Sequence, residues 1–138
     1  MQSTLPVPQH KHVIPLLAKD LTDKIIGAAI EVHKVLGPGL LESAYQVCME
    51  RESELRKLSF ERLVELSLNY KGINLDAGYV IDLVYENRVV VELKAVEKVI
   101  PVHEAQLLTY MRLTGICVGL LINFNVPILK DGIYRRVL

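Results

Sequence analysis

Between residues 21 and 36 the apolar side chains Leu21, Ile25, Ile26, Ala29 and Ile30 return at steps of three and four, with His33 on the same stripe. That period places them on one face of a helix. Asp20 or Thr22 is suited to cap its start, and Gly37-Pro38-Gly39 ends it. A second stripe, Leu41, Tyr45, Cys48 and Leu55, predicts a helix over 40–58, with Glu50, Arg51, Glu54 and Lys57 on its outer side. After Phe60 the period shortens. Residues 63–70 partly alternate and Lys71-Gly72 supplies a turn, so a strand and a hairpin follow. Strands over 73–85 and 89–96 meet at Glu86-Asn87-Arg88, where Asn87 tolerates a left-handed backbone. Pro101 opens a helix over 102–113, which Gly115 closes. The unbroken apolar run 116–122 reads as a strand buried on both faces, and a last hairpin turns at Lys130-Asp131-Gly132 into a strand over 133–138.

The order helix, helix, three strands, helix, two strands predicts an α/β or α+β fold with a mixed central sheet flanked by helices. In 138 residues there is no internal repeat, low-complexity tract or linker, so a single domain over 19–138 is expected. Residues 1–18 read as a loose, flexible arm: Pro6, Pro8, Pro15 and the polar run Gln9-His10-Lys11-His12 lack the apolar stretch of a secretory signal. A chain that is 51% hydrophobic and 23% charged is not a disordered polyelectrolyte. Its longest apolar run falls far short of the roughly 20 residues that span a bilayer, which excludes an integral membrane protein. Cys48 and Cys117 stand in neither disulfide-framework nor metal-finger spacing, which suits a reducing, cytoplasmic setting. Sixteen basic residues balance sixteen acidic ones. Any contact with a polyanion must then rely on local positive charge or on a bound cation.

Candidate chemistry concentrates around the hairpin at Asn87. Glu92 and Lys94, two apart on a strand, point together, and a turn centred on Asn87 sets Tyr85 opposite Val89 and Asp82 opposite Glu92. Paired side chains across a hairpin have Cβ atoms about 4.5–5.5 Å apart. Two carboxylates held that close repel unless a positive charge lies between them, and a hard divalent cation such as Mg2+ takes oxygen ligands of this kind. The ordinary alternative is a solvated Glu/Lys pair. Against it, Val89, Val90, Val91 and Leu93 make the strand central, where charges need a reason. On the following helix His103, Gln106 and Tyr110 share a face and their polar ends are suited to line one cleft; equally, His103 caps the helix and Tyr110 packs. The stretch from Gly37 to Tyr45 places Glu42 in the first turn of a helix, which an ordinary helix start also requires. His33 reads as a satisfied core histidine.

Several of these segments recur together elsewhere. Gly39-x-x-Glu42-x-x-Tyr45, Tyr70-Lys71-Gly72, Asp82, Glu92-Leu93-Lys94-Ala95-Val96, His103-x-x-Gln106 and Gly119-Leu120-Leu121-Ile122-Asn123-Phe124 resemble, in order, the motifs of the GxxExxY protein family, which is grouped with the PD-(D/E)XK nuclease-like superfamily. The resemblance runs over about 21–137. It implies a restriction-endonuclease-like core, with Asp82, Glu92 and Lys94 as the catalytic Asp, Glu and Lys and Glu42 as the glutamate of the early helix. It also implies that Asp82, Glu92, Glu42 and the Leu93 backbone carbonyl hold Mg2+ or Mn2+. Gln106-x-x-x-Tyr110 is similar to an element of RecB-type nucleases, and with His103 and Tyr45 it is assigned to substrate positioning or support of the metal ligands. Ile81 stands where such proteins often have proline. The implied function is metal-dependent hydrolysis of phosphodiester bonds, with DNA favoured over RNA as substrate and a homodimer kept open. The rival readings are a nuclease-fold module that binds nucleic acid or a protein without turnover, and a structural homo-oligomer.

Overall fold

The structure, a computed structural model, describes residues 17–138, so all but the last two residues of the expected N-terminal arm lie outside the described residues. Helix α1 (Lys19–Leu36) buries Leu21, Ile25 and Ala29 of the expected stripe, but its packed face is rotated toward Ala28 and Val32, so that Ile26 and His33 are only half-buried and Ile30 is exposed. Its start is made differently from the expectation. Ala18, in a left-handed conformation, offers its carbonyl to the N–H groups of Leu21 and Thr22, and among the described residues no side chain caps the helix. Asp20 is engaged elsewhere, 3.1 Å from Arg88. Helix α2 (Glu42–Leu55) departs from the expected stripe: Tyr45, Met49 and Ser53 are buried, whereas Leu41 and Leu55 are exposed. The packed ridge runs in steps of four from Tyr45, and Leu41 precedes the helix. A serine is tolerated in that ridge because its hydroxyl meets the buried Tyr85 hydroxyl at 2.7 Å.

Five strands follow in the spatial order of the chain: β1 (Phe60–Tyr70), β2 (Ile73–Tyr85), β3 (Val89–Lys94), β4 (Val118–Asn123) and β5 (Ile133–Val137). All neighbours are antiparallel except β3 and β4, which are parallel and joined by the crossover helix α3 (Pro101–Thr114). On one side of the sheet α1 and α2 cover Leu83, Val91, Leu93, Leu120 and Ile122; on the other α3 lays Leu107 and Met111 over Val90 and Leu121. Every position of β4 is buried, as its unbroken apolar sequence predicts. Among the described residues no helix is long and apolar enough to cross a membrane.

Two irregularities in the first hairpin shape the functional end of the molecule. Residues two apart in a strand normally share a face, yet Arg62 reaches Glu50 of α2 while Val64 packs on the α3 side. Across the ladder Leu83 and Ile81 divide in the same way. Both strands therefore change sides between these residues, at Leu63, whose φ is 48°, and at Asp82. The pairing of Arg62 with Leu83 and Val64 with Ile81 keeps its count, so neither strand gains a residue there. Farther out the register jumps from Leu66 opposite Tyr79 to Leu68 opposite Leu75, which leaves residues 76–78 facing Ser67. Gly78 takes a positive φ of 76° in this bulge.

The turn into β5 is equally constrained. Gly132 ends the short 3-10 helix Leu129–Gly132, and a Cβ there would overlap the carbonyl oxygen of Asn123, a backbone atom at the end of β4. Gly132→Ala is expected to lower stability by about 2–3 kcal/mol, in the range of an overpacked core, as read from the midpoint of urea unfolding. An unchanged midpoint would mean that the β4–β5 turn relaxes freely.

Candidate active site

The β2–β3 ladder stops at Leu83 opposite Val91, one position short of Asp82 and Glu92. Past that point the two side chains take over the hydrogen bonding of the backbone. The Leu93 N–H donates to Asp82 Oδ2 at 2.8 Å, and the Asp82 N–H donates to Glu92 Oε1 at 3.1 Å. Each carboxylate thus caps the strand that carries the other. In an extended strand a residue's N–H and C=O leave by the same edge, so the Leu93 carbonyl also faces this gap. Glu92 and Lys94 point to the α3 side, where the Lys94 Nζ lies 3.4 Å from Gln106 Oε1 and the Gln106 Nε2 donates to the Tyr110 hydroxyl at 3.1 Å.

The electrostatics are those of acids packed without a matching cation. Glu92 is only 4% exposed. Burial, followed by the charge of Asp82, pushes its carboxyl up to about 8. Burial likewise raises Asp82 to about 6; the Leu93 N–H pulls it down, and the Glu42 carboxylate at the first residue of α2 adds repulsion. Lys94 lowers both but does not cancel the burial cost. Tyr110 is raised as well, by burial and then by the negative charge of Glu92. Burial and mutual repulsion therefore favour a proton retained on the metal-free pair over ionisation of both acids.

Surrounding residues fix this arrangement from three sides. The Tyr45 ring is fully buried, stacked on Phe124 with centroids 4.4 Å apart, and its hydroxyl donates to the Gly37 carbonyl at 2.6 Å and accepts the Leu40 N–H at 3.3 Å. It anchors the loop that aims Glu42 and has no surface open to a substrate. His103 is also drawn away from the cleft chemistry, because its Nδ1 accepts the Ile100 N–H at 3.1 Å and closes the start of α3. Two residues outside the sequence-derived set do more. Gln46, one turn after Glu42, donates to the Asp82 carbonyl at 3.0 Å and to Glu50 at 2.8 Å, and Glu50 in turn pairs with Arg62 at 2.9 Å. The position of Asp82 at the change of sides is thereby tied to α2. Asn123, buried at the end of β4, exchanges two 3.0 Å hydrogen bonds with the Val96 backbone, while the Phe124 N–H donates to the Lys94 carbonyl at 2.9 Å. The spacing of Gln46 from Glu42, and a lone polar side chain closing an apolar strand, were the available signals for both.

Two strand carboxylates, a lysine two residues on, an early-helix glutamate and a Gln/Tyr pair on the crossover helix form the set that the motifs bring together in sequence. A family model described as the PD-(D/E)XK nuclease superfamily matches residues 19–137. The chain belongs to that superfamily. No curated protein and no solved structure matches it. The mixed sheet between helices agrees with the restriction-endonuclease-like core of PD-(D/E)XK nucleases. The match stands at the level of the superfamily, and the GxxExxY grouping is narrower than what it establishes.

PD-(D/E)XK nucleases generally use divalent metal ions. Among the described residues no three His, Cys, Asp or Glu side chains are gathered as a ready set of ligands, because Asp82 and Glu92 are turned to backbone N–H groups. The donors nevertheless fit a hard cation in kind: a buried and a half-buried carboxylate whose ionisation burial suppresses, beside a backbone carbonyl that lies past the end of the β2–β3 ladder. A consequence follows for the metal-free protein. Both acids titrate above their ordinary values of 3.8 and 4.5, so their stabilising effect is whole below about pH 4 and is lost as pH rises through about 6 and about 8. Urea unfolding in chelator is expected to show stability falling by on the order of 2–4 kcal/mol from about pH 5 to about pH 9. Glu92→Gln should remove most of the slope above about pH 7; an equal slope in that variant would place its origin elsewhere.

Proposed function

We propose that this chain is a metal-dependent nuclease that hydrolyses phosphodiester bonds at the cleft formed by Asp82, Glu92 and Lys94. The observation that carries the reading is the meeting of a buried and a half-buried carboxylate from adjacent strands at a gap where the ladder ends, with an ammonium group two residues along. Asp82, Glu92 and the Leu93 carbonyl would hold Mg2+ or Mn2+, with Glu42 completing the set from α2. Held by these residues, such an ion would supply Lewis-acid polarisation of a phosphoryl oxygen and a lowered pKa for water. Lys94, oriented by Gln106, supplies positive charge where the phosphate gains negative charge during attack. Tyr110 holds Gln106 in turn, so the ammonium is positioned through two hydrogen bonds before substrate arrives. Because the chain has no net charge, attraction of a polyanion depends on this local set. DNA is taken ahead of RNA as the polymer.

Purified protein incubated with single- and double-stranded DNA and RNA, under Mg2+, Mn2+ or chelator, tests the proposal. Wild type is expected to cut at least one of them only with the metal, and Glu92→Gln and Lys94→Ala to cut it about 100- to 1000-fold more slowly with unchanged circular dichroism. Calorimetric heat on Mn2+ addition should disappear in Asp82→Asn. Binding without cleavage by wild type under every condition would favour the non-catalytic module instead.

A further inference from the structure

The nuclease cleft opens on α3 into a groove that none of its metal or phosphate chemistry uses. The groove is about 310 Å3 and runs between α3 and the outer part of the first hairpin, with Leu68 and Tyr79 on one wall and Val102, Ala105 and Thr109 on the other. Its floor is Gln106 and Tyr110. These are the two residues that orient Lys94, so the groove is continuous with the site.

The hydrogen-bond inventory of that floor is incomplete. Gln106 gives one Nε2 hydrogen to Tyr110 and accepts from Lys94, which leaves its second amide hydrogen and the Tyr110 hydroxyl hydrogen without an acceptor among the described residues. Above them the walls are apolar and carry one aromatic face, Tyr79, which is 38% exposed. The bulge that sets residues 76–78 opposite Ser67 separates this tyrosine from the outer hairpin. Beyond it Leu68 pairs with Leu75 and Tyr70 with Ile73, so these four apolar side chains share one face of the projecting hairpin. Tyr70, Ile73 and Leu75 are all exposed. At the tip the Lys71 ammonium lies 5.2 Å from the centre of the Tyr70 ring.

We infer that this groove receives one unpaired nucleobase next to the scissile phosphate, and that the substrate is a single strand which continues along the apolar face of the hairpin toward Tyr70 and Lys71. The inference rests on the nuclease reading, since a phosphodiester at Asp82 and Glu92 puts a sugar and a base within reach of Gln106 and Tyr110. A base offers a flat apolar face for Tyr79 and a polar edge for the free donors of the floor. In a duplex the face is stacked and the edge is paired, whereas a single strand presents both. The volume suits one nucleoside and is too small for a base pair. Lys71 at the far end is placed to meet a backbone phosphate.

Glu92→Gln protein, which should bind without cutting, provides the test. Fluorescence anisotropy with labelled oligodeoxythymidylate, oligouridylate and a DNA duplex of equal length is expected to give single strands bound at least about tenfold more tightly than duplex. The two homopolymers tell DNA from RNA. Tyr79→Ala, added to Glu92→Gln, should weaken single-strand binding about tenfold, the low end of what one base–aromatic stack contributes, and Tyr79→Phe should retain it. Ala105→Leu, which narrows the groove from α3 with neither a charge nor an aromatic ring, should weaken it similarly. In otherwise wild-type protein neither Tyr79→Ala nor Ala105→Leu should alter the heat of Mn2+ binding. Duplex bound as tightly as single strand, or single-strand binding untouched by both Tyr79→Ala and Ala105→Leu, overturns the groove as a base site. Metal-dependent cleavage by wild type would then still uphold the nuclease reading. Absence of both cleavage and nucleic-acid binding in wild type would instead remove that reading and the inference with it.

Discussion

Between Leu63 and Asp82 two paired strands change sides together, and the geometry of the cleft depends on that local twist. Had β2 kept its pleat, Asp82 would stand on the sheet face opposite Leu83, and the β2–β3 ladder would close over the Leu93 N–H and carbonyl. The twist ends the ladder at Leu83 and Val91 and leaves backbone groups that the two carboxylates satisfy instead. A buried polar group without a partner costs on the order of 1–3 kcal/mol, so the exchanged bonds hold both acids at the gap. Their own charges oppose such closeness. The site is therefore a compromise between hydrogen bonds that bring the acids together and a Coulombic repulsion that only a proton or a cation relieves.

Much of the remaining architecture serves to keep that compromise in place. Gln46 grips the Asp82 carbonyl from α2, and the Glu50–Arg62 pair braces the first strand just before its change of sides. Asn123 clamps the exit of β3 beyond Lys94. Tyr45, buried against Phe124, sets the loop from which Glu42 enters. The residues around the cleft thus divide into those that present charge and those that hold the backbone that presents it. Burial does not follow that division: among the holders Tyr45 and Asn123 are almost wholly covered, and among the charges Glu92 is buried whereas Glu42 is exposed.

The sequence carried the order of elements because its periods are clear: β4 is apolar throughout, α1 repeats at helical steps, and Asn87 does take a left-handed conformation, with φ 54°. The pairing of Tyr85 with Val89 follows from that turn alone. Where the reading of α2 went astray, the reason lies in tertiary packing. A serine that bonds a buried tyrosine and a Met on the same ridge were outweighed by leucines that face solvent. The change of sides at Leu63 left no mark in the alternation of 63–70, because it is a backbone event compatible with ordinary side chains. His103 and Tyr45 were legible as parts of motifs; the capping role of His103 is local, set by Ile100 three residues before it, and was readable beside the motif, whereas the buried anchoring role of Tyr45 depended on Phe124, distant in sequence. Gln46 was hidden for the same reason, since its partner is a backbone carbonyl on β2.

Asp82, Glu92, Lys94, Gln106 and Tyr110 lie on one continuous segment, a hairpin strand pair followed by its crossover helix. Their mutual contacts close short loops, and short loops carry little entropic penalty and form quickly. Glu42 and Gln46 belong to a helix far earlier in the chain and join when α2 docks. During folding, a segment with its acids already adjacent would exist before the helix that steadies them.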